Sequence, residues 1–125
     1  MKKEIAEIWV KALESGKYKQ TKGALKKKDK YCCLGVLCDL SEQGEFINAG
    51  LVNGNIDISH EVYVLPNGNK GASELPYEVV KWADMSDSMG CFIKTADSET
   101  LSELNDSGKS FTEIAEIIRN NYQSL

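Results

Sequence analysis

Tyr31-Cys32-Cys33-Leu34-Gly35-Val36-Leu37-Cys38-Asp39-Leu40 is the stretch that decides the fold. Apolar residues fill almost every position, so the segment predicts a helix from about Tyr31 to Gln43 with a broad apolar face made by Cys33, Leu34, Leu37, Cys38 and Leu40. Gly35 inside it predicts the close approach of another backbone, and Gly44 is expected to stop it. Upstream lies Gly16-Lys17-Tyr18-Lys19-Gln20-Thr21-Lys22-Gly23-Ala24-Leu25, a loop rich in lysine and glycine. A positive loop joined to a rigid apolar helix suits the gripping of a small phosphorylated ligand.

Working outward, Ile5, Ile8, Trp9, Ala12 and Leu13 recur at helical spacing and predict an amphipathic helix ending near Ser15-Gly16. From Phe46 to Lys70 the pattern changes. Asn53-Gly54 and Asn67-Gly68 bracket a Val62-Tyr63-Val64-Leu65 run, which reads as short strands joined by turns. A helix is expected after Leu75-Pro76, with proline in its first turn and Val79, Val80, Trp82 and Ala83 following. Gly90 to Lys94 reads as a short strand, and two helices close the chain, Ser98 to about Asn105 and Phe111 to Tyr122. No repeat, low-complexity tract or linker divides the sequence. The expected architecture is a single α+β domain over residues 1–125, several helices packed around a small, mainly antiparallel sheet.

With 15 basic against 19 acidic residues the net charge is −4, which argues against DNA or RNA as a partner, since such binding relies on positive potential. The lysines are nevertheless concentrated, at positions 17, 19, 22, 26, 27, 28 and 30, either as a solvated loop or as a ligand surface. No apolar run reaches the ~20 residues of a membrane span, and the N-terminal segment lacks the apolar centre of a signal peptide. Both point to a cytoplasmic protein. Adjacent Cys32 and Cys33, with Cys38 on the same helix, are poorly placed for disulfides or zinc and read as small core residues.

Catalysis would need a nucleophile with a base, a metal set or convergent carboxylates. His60 is the only histidine and reads as a surface residue; Asp84 with Asp87, and Glu99 with Glu103, fit caps or solvated helix faces as well as a catalytic pair. Gly108-Lys109-Ser110 has the tail of a phosphate loop, but Glu103 stands where the motif needs its first glycine. Gly108 is instead expected to end one helix in a left-handed conformation, and Ser110 with Glu113 to cap the next. Free amides at that helix start, beside Lys109, are also suited to an anion. No catalytic residue, metal site or cofactor is assigned.

Trp9 to Gln20, Gly23-Ala24-Leu25, the Tyr31 to Leu40 helix, Leu75-Pro76 with Trp82-Ala83, and Leu104-Asn105-Asp106-Ser107-Gly108-Lys109-Ser110-Phe111 resemble a phage-encoded family that includes the first-described Thoeris anti-defence proteins. The resemblance spans nearly the whole chain. It implies a sponge active in the host bacterial cytoplasm: a protein that binds the glycocyclic ADP-ribose messenger of Thoeris defence without turning it over. It further implies homo-oligomers, dimers or hexamers, and in some members binding of the cyclic di- and trinucleotides of CBASS defence at separate sites. For the messenger, Phe92 is the expected stacking partner of the base, Asn105 and Asp106 the partners of ribose or adenine, and Lys109 and Arg119 those of phosphate. Arg119 also suits a purely structural role near a helix C-terminus. Gln20 and Lys30 match the cyclic-oligonucleotide contacts, with lysine where relatives carry arginine. The competing readings are a phage accessory protein that docks on a host protein through the lysine loop, and a nucleotide-cleaving enzyme.

Overall fold

The computed structural model describes residues 1–52 and 55–125, and between 49 and 59 only the strand backbone. Five helices pack around a small mixed sheet, with a separate two-stranded sheet alongside. The α+β architecture read from the sequence is therefore the one observed.

Helix α2 (Cys33–Ser41) is the centre of the core. Cys33, Leu34, Val36, Leu37 and Cys38 are all fully buried, as a helix apolar on all sides must be. It is shorter than the sequence predicts. Tyr31 lies in a strand, Cys32 is the N-cap, and the chain leaves the helix at Glu42, which adopts a left-handed conformation with φ 53°. Gly44 does not stop the helix; its smallness serves the sheet, since a Cβ there would lie 2.2 Å from the Val64 carbonyl oxygen. Gly35 does meet a backbone as expected, that of Leu25. A left-handed residue other than glycine costs about 1–2 kcal/mol, so Glu42→Gly is expected to raise the urea midpoint by an amount worth about 1 kcal/mol. An unchanged or lower midpoint would mean that Glu42 makes a compensating contact.

Helix α1 (Lys3–Glu14) packs on α2, and Trp9 Nε1 donates to the Cys33 carbonyl at 2.9 Å. Ile5, Trp9 and Leu13 face inward with Ala6 and Val10, whereas Ile8 is 43% exposed. At 100° per residue Ile8 falls outside the arc that holds the buried residues, so the inward face is turned toward Ala6 and Val10 relative to the one the apolar spacing suggests.

The main sheet runs in the order β1 (Lys19–Gln20), β3 (Lys30–Tyr31), β2 (Lys26–Lys27), β5 (Asn55–Val64), β4 (Glu45–Val52), and β6 (Lys70–Gly71) also pairs with β5. Only β1 with β3 is parallel. The predicted Val62 to Leu65 run is the end of β5, and Gly68 turns with φ 91°; the Asn53-Gly54 turn lies outside the described residues. Edge-on contacts link Tyr18, Tyr31, Phe46 and Tyr63 with ring separations of 5.0, 5.8 and 4.9 Å, tying the lysine loop to the sheet.

Helix α3 (Tyr77–Ala83) starts one residue after Pro76, which is its N-cap rather than part of its first turn. Strand β7 (Cys91–Ile93) pairs with β8 (Glu99–Thr100), so the next helix, α4 (Leu101–Ser107), starts three residues later than Ser98. Thr100 caps it by accepting from the Glu103 amide at 3.1 Å. Helix α5 (Phe111–Asn121) carries the predicted capping box of Ser110 and Glu113 and ends in a short 3-10 turn, Tyr122–Ser124. No helix among the described residues is long and apolar enough to cross a membrane.

Candidate functional site

The Leu104 to Phe111 motif folds into the junction between α4 and α5. Gly108, at φ 108°, reverses the chain, and the amides of Gly108 and Lys109 return to the carbonyls of Asn105 and Leu104 at 3.3 and 3.0 Å, closing the helix end. Asn105 is thereby carried inward and is fully buried. Its Oδ1 accepts from the Cys33 amide at 3.1 Å and from Gln20 Nε2 at 2.9 Å; its Nδ2 donates to the Thr21 carbonyl at 2.8 Å and to Asp106 Oδ1 at 3.3 Å. All of its hydrogen-bonding directions are used within the chain, as burial of an amide demands. One of those bonds satisfies an amide in the first turn of α2 that has no partner in the helix.

Around Asn105 the loop from β1 closes over the junction. Gln20 Nε2 also donates to the Lys109 carbonyl at 2.8 Å, and the Gly23 amide donates to Asp106 Oδ1 at 3.0 Å. The Lys22 ammonium reaches Gly108, lying 3.7 Å from where a Cβ would sit. Lys109 and Asp106 are exposed; Lys109 makes a 3.6 Å ion pair with Glu113, itself half exposed. Such a pair is weak and screened, leaving Lys109 free to turn to another anion. Glu113 is held below the usual carboxylate range by the backbone and side chain of Ser110 in the capping box, with Lys109 adding to the effect.

Four predicted residues, Gln20, Asn105, Asp106 and Lys109, thus form one cluster, although the sequence assigns Gln20 to a different ligand from the other three. Phe92 and Arg119 make no hydrogen bond, ion pair or ring contact with it among the described residues. Phe92 is half-buried on β7, against the edge of the core. Arg119 is on α5, where Nη2 donates to Glu14 Oε1 at 2.8 Å and Nη1 to Glu116. These partners raise its pKa, the Glu14 bond most of all. It rims an open groove of about 310 Å³ whose floor is Ala6, Val10 and Tyr122.

Lys30 stands on the sheet, not in the cluster. It is the direct cross-strand partner of Lys19 on one side and of Lys27 on the other, while Gln20 and Lys26 are both partners of Tyr31. Side chains alternate along a strand, so Gln20 and Lys30 lie on opposite faces. Lys26 is taken up by its own row. Its ammonium is 3.5 Å from Glu61 and lies 5.1 and 5.3 Å from the ring centres of Tyr31 and Phe46. Burial works to lower its pKa, but Tyr31 and Glu61 outweigh it and hold the ammonium above the ordinary lysine value.

The other chemical candidates are occupied structurally. Burial pushes the Cys32 thiol up to about 11 and those of Cys33 and Cys38 well above their usual value, which makes them poor thiolate nucleophiles. Asp84 is the left-handed residue ending α3, and Asp87 accepts from the amides of Met89, Gly90 and Cys91 at 2.9, 2.7 and 3.1 Å. Among the described residues no group of three or more His, Cys, Asp or Glu side chains is placed to hold a metal ion. No curated protein and no solved structure matches the sequence. The family described as a domain of unknown function, DUF8296, matches residues 1–122, and the chain belongs to that family.

Proposed function

We propose that this protein binds a glycocyclic ADP-ribose messenger and holds it chemically intact, as the phage-encoded Thoeris anti-defence proteins that its sequence resembles do. The observation that carries the reading is the junction itself: the long motif that resembles those proteins builds a turn on which Asp106 and Lys109 are exposed over the bonded Asn105, with Lys22 of the β1 loop reaching Gly108 beside them. A carboxylate for a ribose hydroxyl and two ammonium groups for a pyrophosphate are the groups such a ligand needs. Asn105 serves from beneath, holding the loop that carries the contacts. Sequestration rather than cleavage is supported by the buried, high-pKa thiols and by the capping duties of Asp84 and Asp87. Assembly into a homo-oligomer in the bacterial cytoplasm belongs to the same reading, because an open junction on a small domain needs a second surface to enclose most of a dinucleotide. Cyclic di- and trinucleotides are the second ligand class, near Lys30.

Native mass spectrometry after incubation with a messenger extract tests this. The expected result is one bound mass per site, released unchanged on heating; a cleaved product overturns the sponge and favours an enzyme, and the absence of any ligand favours a host-protein partner. Phe92 lies away from the junction, so this reading has its ring reach the base from a second copy of the chain, and in the same experiment Phe92→Ala is expected to weaken binding about 5- to 150-fold, the range of a lost base-stacking contact. Parent-like binding would remove Phe92 from the pocket.

A further inference from the structure

Asn67-Gly68 forms the tip of the hairpin between β5 and β6. The Leu65 amide donates to the Asn69 carbonyl at 2.8 Å and the Gly68 amide to the Leu65 carbonyl at 2.9 Å. Pro66, Asn67 and Gly68 therefore make the turn, with Gly68 at φ 91° as its left-handed member. Both ends of the Asn67 carboxamide are held. Oδ1 accepts from the Asn69 amide at 2.9 Å, the local bond that suits asparagine to a turn, and Nδ2 donates to Glu78 Oε1 at 2.9 Å. Asn69 Nδ2 donates to the same oxygen at 2.6 Å. Glu78, in the first turn of α3, is held below the usual carboxylate range by Asn67 most of all, then by its own backbone amide and by Asn69. Its Oε2 is buried without a partner, and among the described residues no cation pairs with it.

We propose that Asn67 is a deamidation site whose reaction is gated by Glu78. An asparagine followed by glycine is open to ring closure, because no side chain on the glycine shields its nitrogen. The Gly68 nitrogen bonds to Asn67 Cγ, the Cγ–Nδ2 bond breaks, and Nδ2 leaves as ammonia with the proton of the Gly68 amide. Water then opens the succinimide to aspartate or isoaspartate at position 67, and no other reactant is needed. Asn67 is exposed, so water reaches it, but the reaction must first free the Gly68 amide from Leu65 and the leaving nitrogen from Glu78. The product inverts the contact. A carboxylate stands where a donor stood, within hydrogen-bond distance of a second carboxylate that no cation offsets, and the two repel. The loosening runs on along the chain, since Lys70 and Gly71 pair with β5 and the Ala72 carbonyl holds the Leu25 amide. The site owes nothing to the nucleotide-binding reading.

The test follows the mass gain of deamidation by peptide mass spectrometry in mildly alkaline buffer, with fragmentation to separate position 67 from the other Asn-Gly pair, Asn53-Gly54. The folded parent is expected to convert slowly and Glu78→Ala about tenfold faster, the effect of losing a hydrogen bond to a charged group. In urea, where the turn is gone, the two should react alike. Glu78→Gln keeps an oxygen acceptor without the charge and is expected to lie between them. No gain at position 67 in any of the folded proteins overturns the site; equal rates in folded parent and variants, or a difference that persists in urea, overturns the gate. As a stand-in for the product, Asn67→Asp should melt below the parent and exchange the Leu65 and Leu25 amides faster. Asn67→Asp/Glu78→Gln should recover, because the glutamine amide can donate to the new carboxylate. Parent-like melting of Asn67→Asp, or no recovery in the double variant, overturns the repulsion between positions 67 and 78.

Discussion

Gly35→Ala is expected to abolish the native fold. A Cβ at this position would lie 1.9 Å from the Leu25 carbonyl oxygen and 2.7 Å from its carbon, so backbone, not a yielding side chain, stands in the way. Leu25 is pinned on both sides: its carbonyl accepts from the Cys32 amide at 3.0 Å and its amide donates to Ala72 at 2.8 Å, while its side chain is fully buried. Alanine gains about 1 kcal/mol in helix propensity over glycine. Moving Leu25 away breaks those bonds and opens the centre of the core, a loss of about 4 kcal/mol or more when overpacking and orphaned backbone groups are combined. At the lower end of the about 5–15 kcal/mol total stability of a domain, little is left after that. Soluble yield, near-ultraviolet circular dichroism and urea unfolding measure it; a cooperative transition near the parent midpoint would show that α2 and the Leu25 segment slide apart freely.

The second large effect is that of Asn105→Ala. Truncation leaves the Cys33 amide and the Thr21 carbonyl without their partner, the first of them buried, while the Gln20 side-chain amide loses one of its two acceptors and keeps the Lys109 carbonyl. With about 1–3 kcal/mol for each buried group left unsatisfied, the expected destabilisation is about 2–4 kcal/mol. Gln20→Ala removes an outer member of the network and is expected to cost less. The two should be non-additive in a double-mutant cycle, by about 1 kcal/mol, because they share a bond. Faster hydrogen exchange at the Gly23 and Cys33 amides would accompany the loss, since the loop they anchor would open locally. Additive effects, or unchanged exchange, would mean that the loop is held by something other than Asn105. Messenger binding is expected to fall in Asn105→Ala because the platform moves, so independent behaviour of Gln20 and Asn105 toward two ligands is not expected.

Elements whose cause is local were legible in the sequence. The apolar run of α2, the Ser110/Glu113 capping box and the left-handed Gly108 each follow from residues within a few positions of one another. The close approach at Gly35 was readable as a requirement, though not its partner. What escaped depends on long-range pairing. Asn105 and Gln20 are 85 positions apart, and nothing in either neighbourhood marks an asparagine as a buried hub rather than a ligand contact. Strands β1, β2 and β3 are two residues each, too short to show the alternation that announces a strand, so the register uniting Lys19, Lys30 and Lys27 was invisible in a loop that looked merely basic. Glu42 ends α2 where glycine would be the natural choice, and the nearby Gly44 drew the expectation away.

Strand β1 is the outermost member of its sheet, and an outer strand offers unpaired amides and carbonyls to any passing extended chain. A lysine on that strand, backed by two more in the same row, repels such a chain and obliges it to bury positive charge before it can pair. The row is therefore a guard against edge-to-edge aggregation.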